Sequence, residues 1–264
     1  MNQLYKPLQR SILSLTVTIF AFGIGAPSIV SALDNNTNKA GSGTAKTSSF
    51  CTKLPATITT IDTNFSSRIA KLTNARVSAD QKHAANKIKW DSEIAANRAT
   101  WDQKRQTNFT KLEVKGADAA KTTAIKAYEA SITGAVDSMR TANSQARETY
   151  RIAATNAITS QRSTVDKQLA TFQTAVSAAE STAQANCLAA PNDGSSIRIV
   201  FQAALKSARE AYTSDRKIDT GLSTQLKQLG KARDSAFKAS SATFQAVAKT
   251  ARTTLQLAFG TAKV

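Results

Sequence analysis

Two tryptophans eleven residues apart, Trp90 and Trp101, stand among Lys87, Lys89, Arg98, Lys104 and Arg105. Aromatic rings interleaved with cations suit a single-stranded nucleic acid or a glycan, the rings stacking and the charges meeting the backbone. The same rings can instead pack against a second helix with a cation over the ring face, and their helical spacing favours that use. A second basic group, Lys227, Lys231 and Arg233, lies where residues 197–264 carry twelve Lys or Arg against four Asp or Glu. These eight cations are the candidate polyanion contacts, and the two tryptophans are the candidate aromatic contacts.

Other reactive equipment is sparse. His83 is the one histidine, and a triad or a zinc site needs partners at defined geometry. Gly41-Ser42-Gly43 has neither the preceding strand nor the following helix of a phosphate loop. Asp80, Asp91 and Asp102 form an eleven-residue column, and Asn86, Asn97 and Asn108 another. Three helical turns put successive members ~16 Å apart, too far to share a metal, so solvated faces and local capping contacts are expected. Catalysis by carboxylates alone stays open, but elongated helices offer few deep pockets. The expectation is no enzyme, no cofactor, no metal and no small-molecule substrate.

The elements that position these residues follow from periodicity. Ile125, Tyr128, Ile132, Val136, Met139, Tyr150, Ile158, Val165, Leu169, Phe172 and Val176 recur at helical steps, with an eleven-residue period close to the natural 3.6 per turn. Cys51 and Cys187 are the only cysteines, and beside their midpoint lies Lys115-Gly116-Ala117-Asp118. Gly can end a helix in the left-handed conformation and Asp can cap the next. A helix from Pro55 to Lys115 should therefore fold back on one from Asp118 to Asn186, with a disulfide clamping the open end. Pairing across that turn sets Ile69 against Leu169, Phe65 near Phe172 and Trp90 near Arg147, Tyr150 and Arg151. Trp101 then falls near Val136 and Met139.

Residues 188–196 read as a loop, with Ser195 or Ser196 able to cap a third helix. From Ile197 one apolar stripe runs to Tyr212 and another from Leu222 to Phe259. Their registers slip at Asp215-Arg216-Lys217-Ile218-Asp219, where a kink is expected and a full reversal is the alternative. The fold expected is all-α: a hendecad coiled-coil hairpin over 51–187 with a long basic third helix over 197–264, forming a three-helix rod. Alanine supplies much of the apolar content, so each layer of such a core is thin.

Lys6 and Arg10 precede the uncharged run Ser11 to Gly25, and Val30-Ser31-Ala32 offers small residues for a signal peptidase. Residues 1–32 are read as a signal peptide, or as an uncleaved anchor, and 33–50 as a polar tether. Either way the remainder is exported, and an even cysteine pair in an exported chain reads as a disulfide. The net charge is +17; Lys6 and Arg10, with no acid among 1–32, leave +15 beyond. Such a charge attracts polyanions, and it also simply keeps a protein soluble.

Phe50-Cys51, Lys89-Trp90-Asp91, Trp101-Asp102, Asn108-Phe109, Lys111-Leu112-Glu113, Cys187, Ala203-Ala204-Leu205-Lys206, Asp215-Arg216 and Ile218-Asp219 are similar to segments of a family of uncharacterised exported helical proteins from small-genome, candidate-phylum bacteria. The resemblance spans most of the exported chain. Thr, Ser and Asn stand where that family would have more Arg, Glu and Ala. It implies an exported coiled-coil protein and carries over no functional residue. The function expected is an envelope or surface rod meeting an anionic cell-wall polymer, a lipid surface, nucleic acid or a partner coiled coil, with self-assembly also open. A periplasmic holdase chaperone with basic helical arms is the alternative.

Overall fold

Ser48 caps the first described helix: its Oγ accepts from the Cys51 N–H at 3.3 Å. A computed structural model describes residues 48–116, 118–218 and 221–260. All of them belong to one unit, 39–264; the expected signal segment and tether lie almost wholly outside the described residues. The described elements are α1 (Ser49–Glu113), α2 (Ala119–Ala189), α3 (Gly194–Ile218) and α4 (Gly221–Ala258), with no strand among them. The all-α expectation holds. The count does not: what reads as a third helix is described as two, α3 ending at Ile218 and α4 beginning at Gly221, beside the charged run where the stripes slip.

The chain does not reverse between α3 and α4. Phe172 meets Tyr212 at 5.4 Å between ring centroids, and Gln168 donates to the Asp215 carbonyl at 3.2 Å. Farther along, Tyr150 lies under Arg233 and Ser240 donates to Asn143 Oδ1 at 2.7 Å. In all four pairs the residue numbers add to 383 or 384. Thus α3 and α4 run along α2 in one direction, antiparallel to it, with one register.

The α1–α2 turn falls where the cysteine midpoint places it. Asp118 caps α2, its Oδ1 accepting from the Lys121 N–H at 2.8 Å. Gly116 is not left-handed, however; Gly260 alone has positive φ among the described residues. Gly116 answers to space instead: a Cβ there would meet Thr122 Oγ1 at 3.1 Å and the Glu113 carbonyl at 3.2 Å. Helix α1 also starts earlier than expected. Pro55 lies inside it, where the ring leaves the Cys51 carbonyl without its usual N–H donor.

At the open end the Cys51–Cys187 disulfide joins α1 to α2 with a Cα–Cα distance of 5.4 Å. Its 136-residue separation makes the chain-entropy contribution about 4–5 kcal/mol. The Ser48 N–H donates to the Pro191 carbonyl at 2.8 Å, and Phe50 packs against Phe201 at 6.3 Å. Gly194, at the start of α3, lies so close that an added Cβ would overlap the Ser48 side chain.

Apolar burial on α1 is confined to its ends. Leu54 and Ile61 are buried near the disulfide, where Phe65 also reaches Phe172 at 6.1 Å. Phe109 is buried near the turn, in a cluster with Ile132 and Val136 of α2 and Phe244 and Ala251 of α4. Nothing on α1 between Ile61 and Phe109 is buried, and residues 81–89 are all exposed.

Replacing Gly194 with Ala should lower stability by about 1–3 kcal/mol, because Ser48 and the first turn of α1 must shift. Gly134, inside α2, has open space around a Cβ, so Gly134→Ala should raise stability by about 0.5–1 kcal/mol. Thermal melts of the two variants should move in opposite directions; an unchanged or raised melt for Gly194→Ala would contradict the packing described at Ser48, and a lowered melt for Gly134→Ala would contradict the open space at Gly134.

Candidate functional site

What holds the middle of α1 is a row of ion pairs. Arg162 forks onto Asp80 at 2.7 and 2.9 Å, and Arg140 forks onto Asp102 at 2.7 and 3.0 Å. Arg151 meets Asp91 at 2.6 Å, and Arg76 meets Asp166 at 2.8 Å. Residue numbers add to 242 in all four pairs. The Asp80, Asp91 and Asp102 column, expected to face solvent or to cap locally, is therefore met by an arginine column of the same period across the interface. Each of these carboxyls is held below the ordinary carboxylate range, first by its arginine's hydrogen bond.

Two like-charged pairs continue the same numbering at the two ends. Glu129 of α2 lies by Glu113 of α1, and burial, then the Glu113 charge, raises its affinity for a proton. Glu180 lies by Asp62; it is 6 % exposed, and its Oε1 has no hydrogen-bond partner among the described residues. Burial, with the Asp62 charge second, pushes Glu180 up to about 7. The sequence pattern does not single out Glu180, whose neighbour Asp62 lies on α1, distant in sequence.

The candidate cations divide into two groups. Arg98 donates to Ser144 Oγ at 2.9 Å and to the Arg140 carbonyl at 3.4 Å. Arg105 pairs with Asp102 at 2.7 Å. Arg233 pairs with Asp234 at 2.7 Å while its guanidinium covers the Tyr150 ring at 4.9 Å and the Phe237 ring at 5.9 Å. Lys87, Lys89, Lys104, Lys227 and Lys231 are exposed. Lys104 sits over the half-buried Trp101 at 5.3 Å, one turn along α1, and Trp90 is half-buried too. The structure thus brings Lys104 and Trp101 together, whereas Lys227, Lys231 and Arg233 belong to a different helix, α4.

His83 is exposed on α1. Among the described residues no three metal-ligating side chains cluster, and no helix is long and apolar enough to cross a membrane. A shallow groove of about 250 Å³ between α2 and α3 is lined by five alanines, Ile197, Val200 and Phe201, with Thr182 and Asn186.

The carboxyl shifts have opposite consequences for stability. The lowered aspartates stabilise the fold above the usual carboxylate range, and that contribution is lost as pH falls through their folded values. Glu180, raised, is best tolerated below about 4.5, and its cost grows until about 7. Glu180→Gln should therefore raise stability at about pH 8 by roughly 1–2 kcal/mol and change little near pH 5. Melting temperatures of the variant and the parent protein at the two pH values test this; an equal difference at both would contradict it.

Comparison of the chain with known protein families, curated protein sequences and solved structures finds no match in any of the three.

Proposed function

We propose that the chain is an exported, non-enzymatic helical rod of the cell envelope or surface, one that spaces or attaches by electrostatic contact with anionic material. In this reading the hairpin is a hendecad coiled coil and α3 with α4 is its third strand. The observation that carries the proposal is the division of the cations. Arginines turn inward onto aspartates and rings, while lysines of α1 and α4 face outward. An outward lysine surface on a chain of net charge +17 favours association with polyanions. Export is supported by the signal-like start and by the Cys51–Cys187 disulfide, a bond that persists in oxidising compartments. The likeness to exported helical proteins of small-genome bacteria points the same way.

A second reading is a periplasmic holdase, favoured by one observation. Ile199 and Val200 are 61 % and 55 % exposed beside the alanine-lined groove, an apolar surface that an unfolded client could cover. A holdase would suppress aggregation of a denatured client at equimolar ratio; an attachment protein would not.

Expression of the full chain in a bacterium, followed by fractionation and N-terminal sequencing, tests the first reading. The protein should appear in the envelope or the medium, oxidised at Cys51 and Cys187, with Leu33 as its first residue if the leader is removed. A wash at about 1 M salt should release the envelope-bound fraction, since exposed charges are screened within ~3 Å at that strength. Retention in the cytosol with free thiols would overturn the export reading, and a fraction resistant to salt would overturn electrostatic attachment.

A further inference from the structure

Helix α4 concentrates its charge on one line. At 100° per residue, Lys227, Lys231, Lys238, Lys249 and Arg252 fall within roughly 60° of its circumference. All five are exposed, and none makes an ion pair among the described residues. Lys227, Lys238 and Lys249 repeat at eleven residues, about 16 Å apart, with Lys231 and Arg252 each one turn from a member of that column. The line extends for ~38 Å. The same arc contains Asp234, Gln245 and Gln256 besides, and Arg233 holds the Asp234 carboxylate at 2.7 Å.

Such an alignment costs the helix stability. Lys227 with Lys231, and Lys249 with Arg252, are like-charge neighbours one turn apart, each unfavourable by a few tenths of a kcal/mol. Solubility alone does not require the charges to share an arc. Elsewhere in the protein, Arg76, Arg140, Arg151 and Arg162 are matched to acids at ion-pair distance. Helix α1 carries a looser line of the same kind, with Lys71, Lys82, Lys89, Lys104 and Lys111 exposed within about 60° over ~60 Å and Glu93 in the same arc; the α4 line sets its five cations closer together.

We propose that this line of α4 is the contact surface for a flexible linear polymer of repeated phosphates. The proposal rests on the anion-attachment reading above and gives it a site and a ligand class. Lysines act as point charges toward phosphate and make no demand for a planar, forked partner. The arc holds no aromatic ring, so the polymer is read through its charge and not through bases. A membrane surface fits less well. The apolar side of α4, with Leu226, Phe244 and Ala251, is buried in the protein, so the helix has no free apolar face to insert among lipids.

The test uses the full, oxidised chain and three probes: a 25-nucleotide deoxythymidine strand, linear polyphosphate of similar length, and phosphatidylglycerol vesicles. Five contacts predict a log–log salt slope near −3.5, or about 100-fold weaker binding of both linear probes between about 50 and 200 mM salt. Changing Lys227, Lys238 and Lys249 together to Gln should reduce the slope by about 2 and weaken binding at least tenfold at the lower salt. Changing Lys87, Lys89 and Lys104 together to Gln should alter binding by less than about twofold. Far-ultraviolet circular dichroism of both triple variants should match the parent. Equal weakening by the two triples would overturn the site while leaving anion attachment standing. Vesicle binding stronger than either linear probe, or binding of the DNA strand without polyphosphate, would overturn the ligand class. No binding to any probe would overturn both the site and the attachment reading.

Discussion

The register between α1 and α2 depends on charge, because there is too little apolar surface to set it. Between Ile61 and Phe109 no α1 side chain is buried, and many of the buried positions on α2 are alanines. Four arginine–aspartate pairs occupy that interval or its edge, three of them at eleven-residue steps. Each exposed pair contributes only about 0.2–1 kcal/mol. Their value is collective: a one-residue slip turns each column by about 100° and separates every pair at once. The disulfide fixes the same register at one end, and the Phe109 cluster fixes it at the other.

Much of this was legible in the residues. Two cysteines and a Gly-Ala-Asp near their midpoint define a hairpin, and Phe65 faces Phe172 as numbering about that turn requires. The ion pairs were harder to see, although Arg140, Arg151 and Arg162 share the period of Asp80, Asp91 and Asp102. Direct pairing about the turn adds to 238, whereas the ion pairs add to 242. Helical side chains lean toward their own N-terminus, so in an antiparallel pair they lean in opposite directions along the axis. A long arginine and an aspartate then meet one turn away from the direct partner. The division of the last segment into α3 and α4 was signalled only as a slip between two stripes. The burial of Glu180 was not signalled; its neighbour Asp62 lies on α1, distant in sequence.

The site was legible in kind but not in detail. Of the eight cations marked by composition and spacing, Arg98, Arg105 and Arg233 turn inward and five lysines do not. Residue chemistry explains the division. A guanidinium is planar, weakly hydrated and forked, which suits carboxylates and ring faces within a helix pair. An ammonium is compact and strongly hydrated and stays in water. Among the eight marked cations, arginine thus serves the scaffold's own assembly and lysine is presented to the surroundings. The acid pairs Glu113–Glu129 and Asp62–Glu180 end the ladder where apolar clusters and the disulfide take over its task.

Exchange of charge across one rung tests the register most directly. Asp91→Arg and Arg151→Asp would be made singly and together, and unfolding free energies measured for all four proteins. Each single reversal places like charges opposite one another and should lower stability, while the double reversal restores attraction at the same position. The account predicts that the double variant recovers most of the loss, with a coupling of at least about 0.5 kcal/mol. Additive losses in the double variant would show that this rung does not hold α1 against α2, and would contradict a register set by charge.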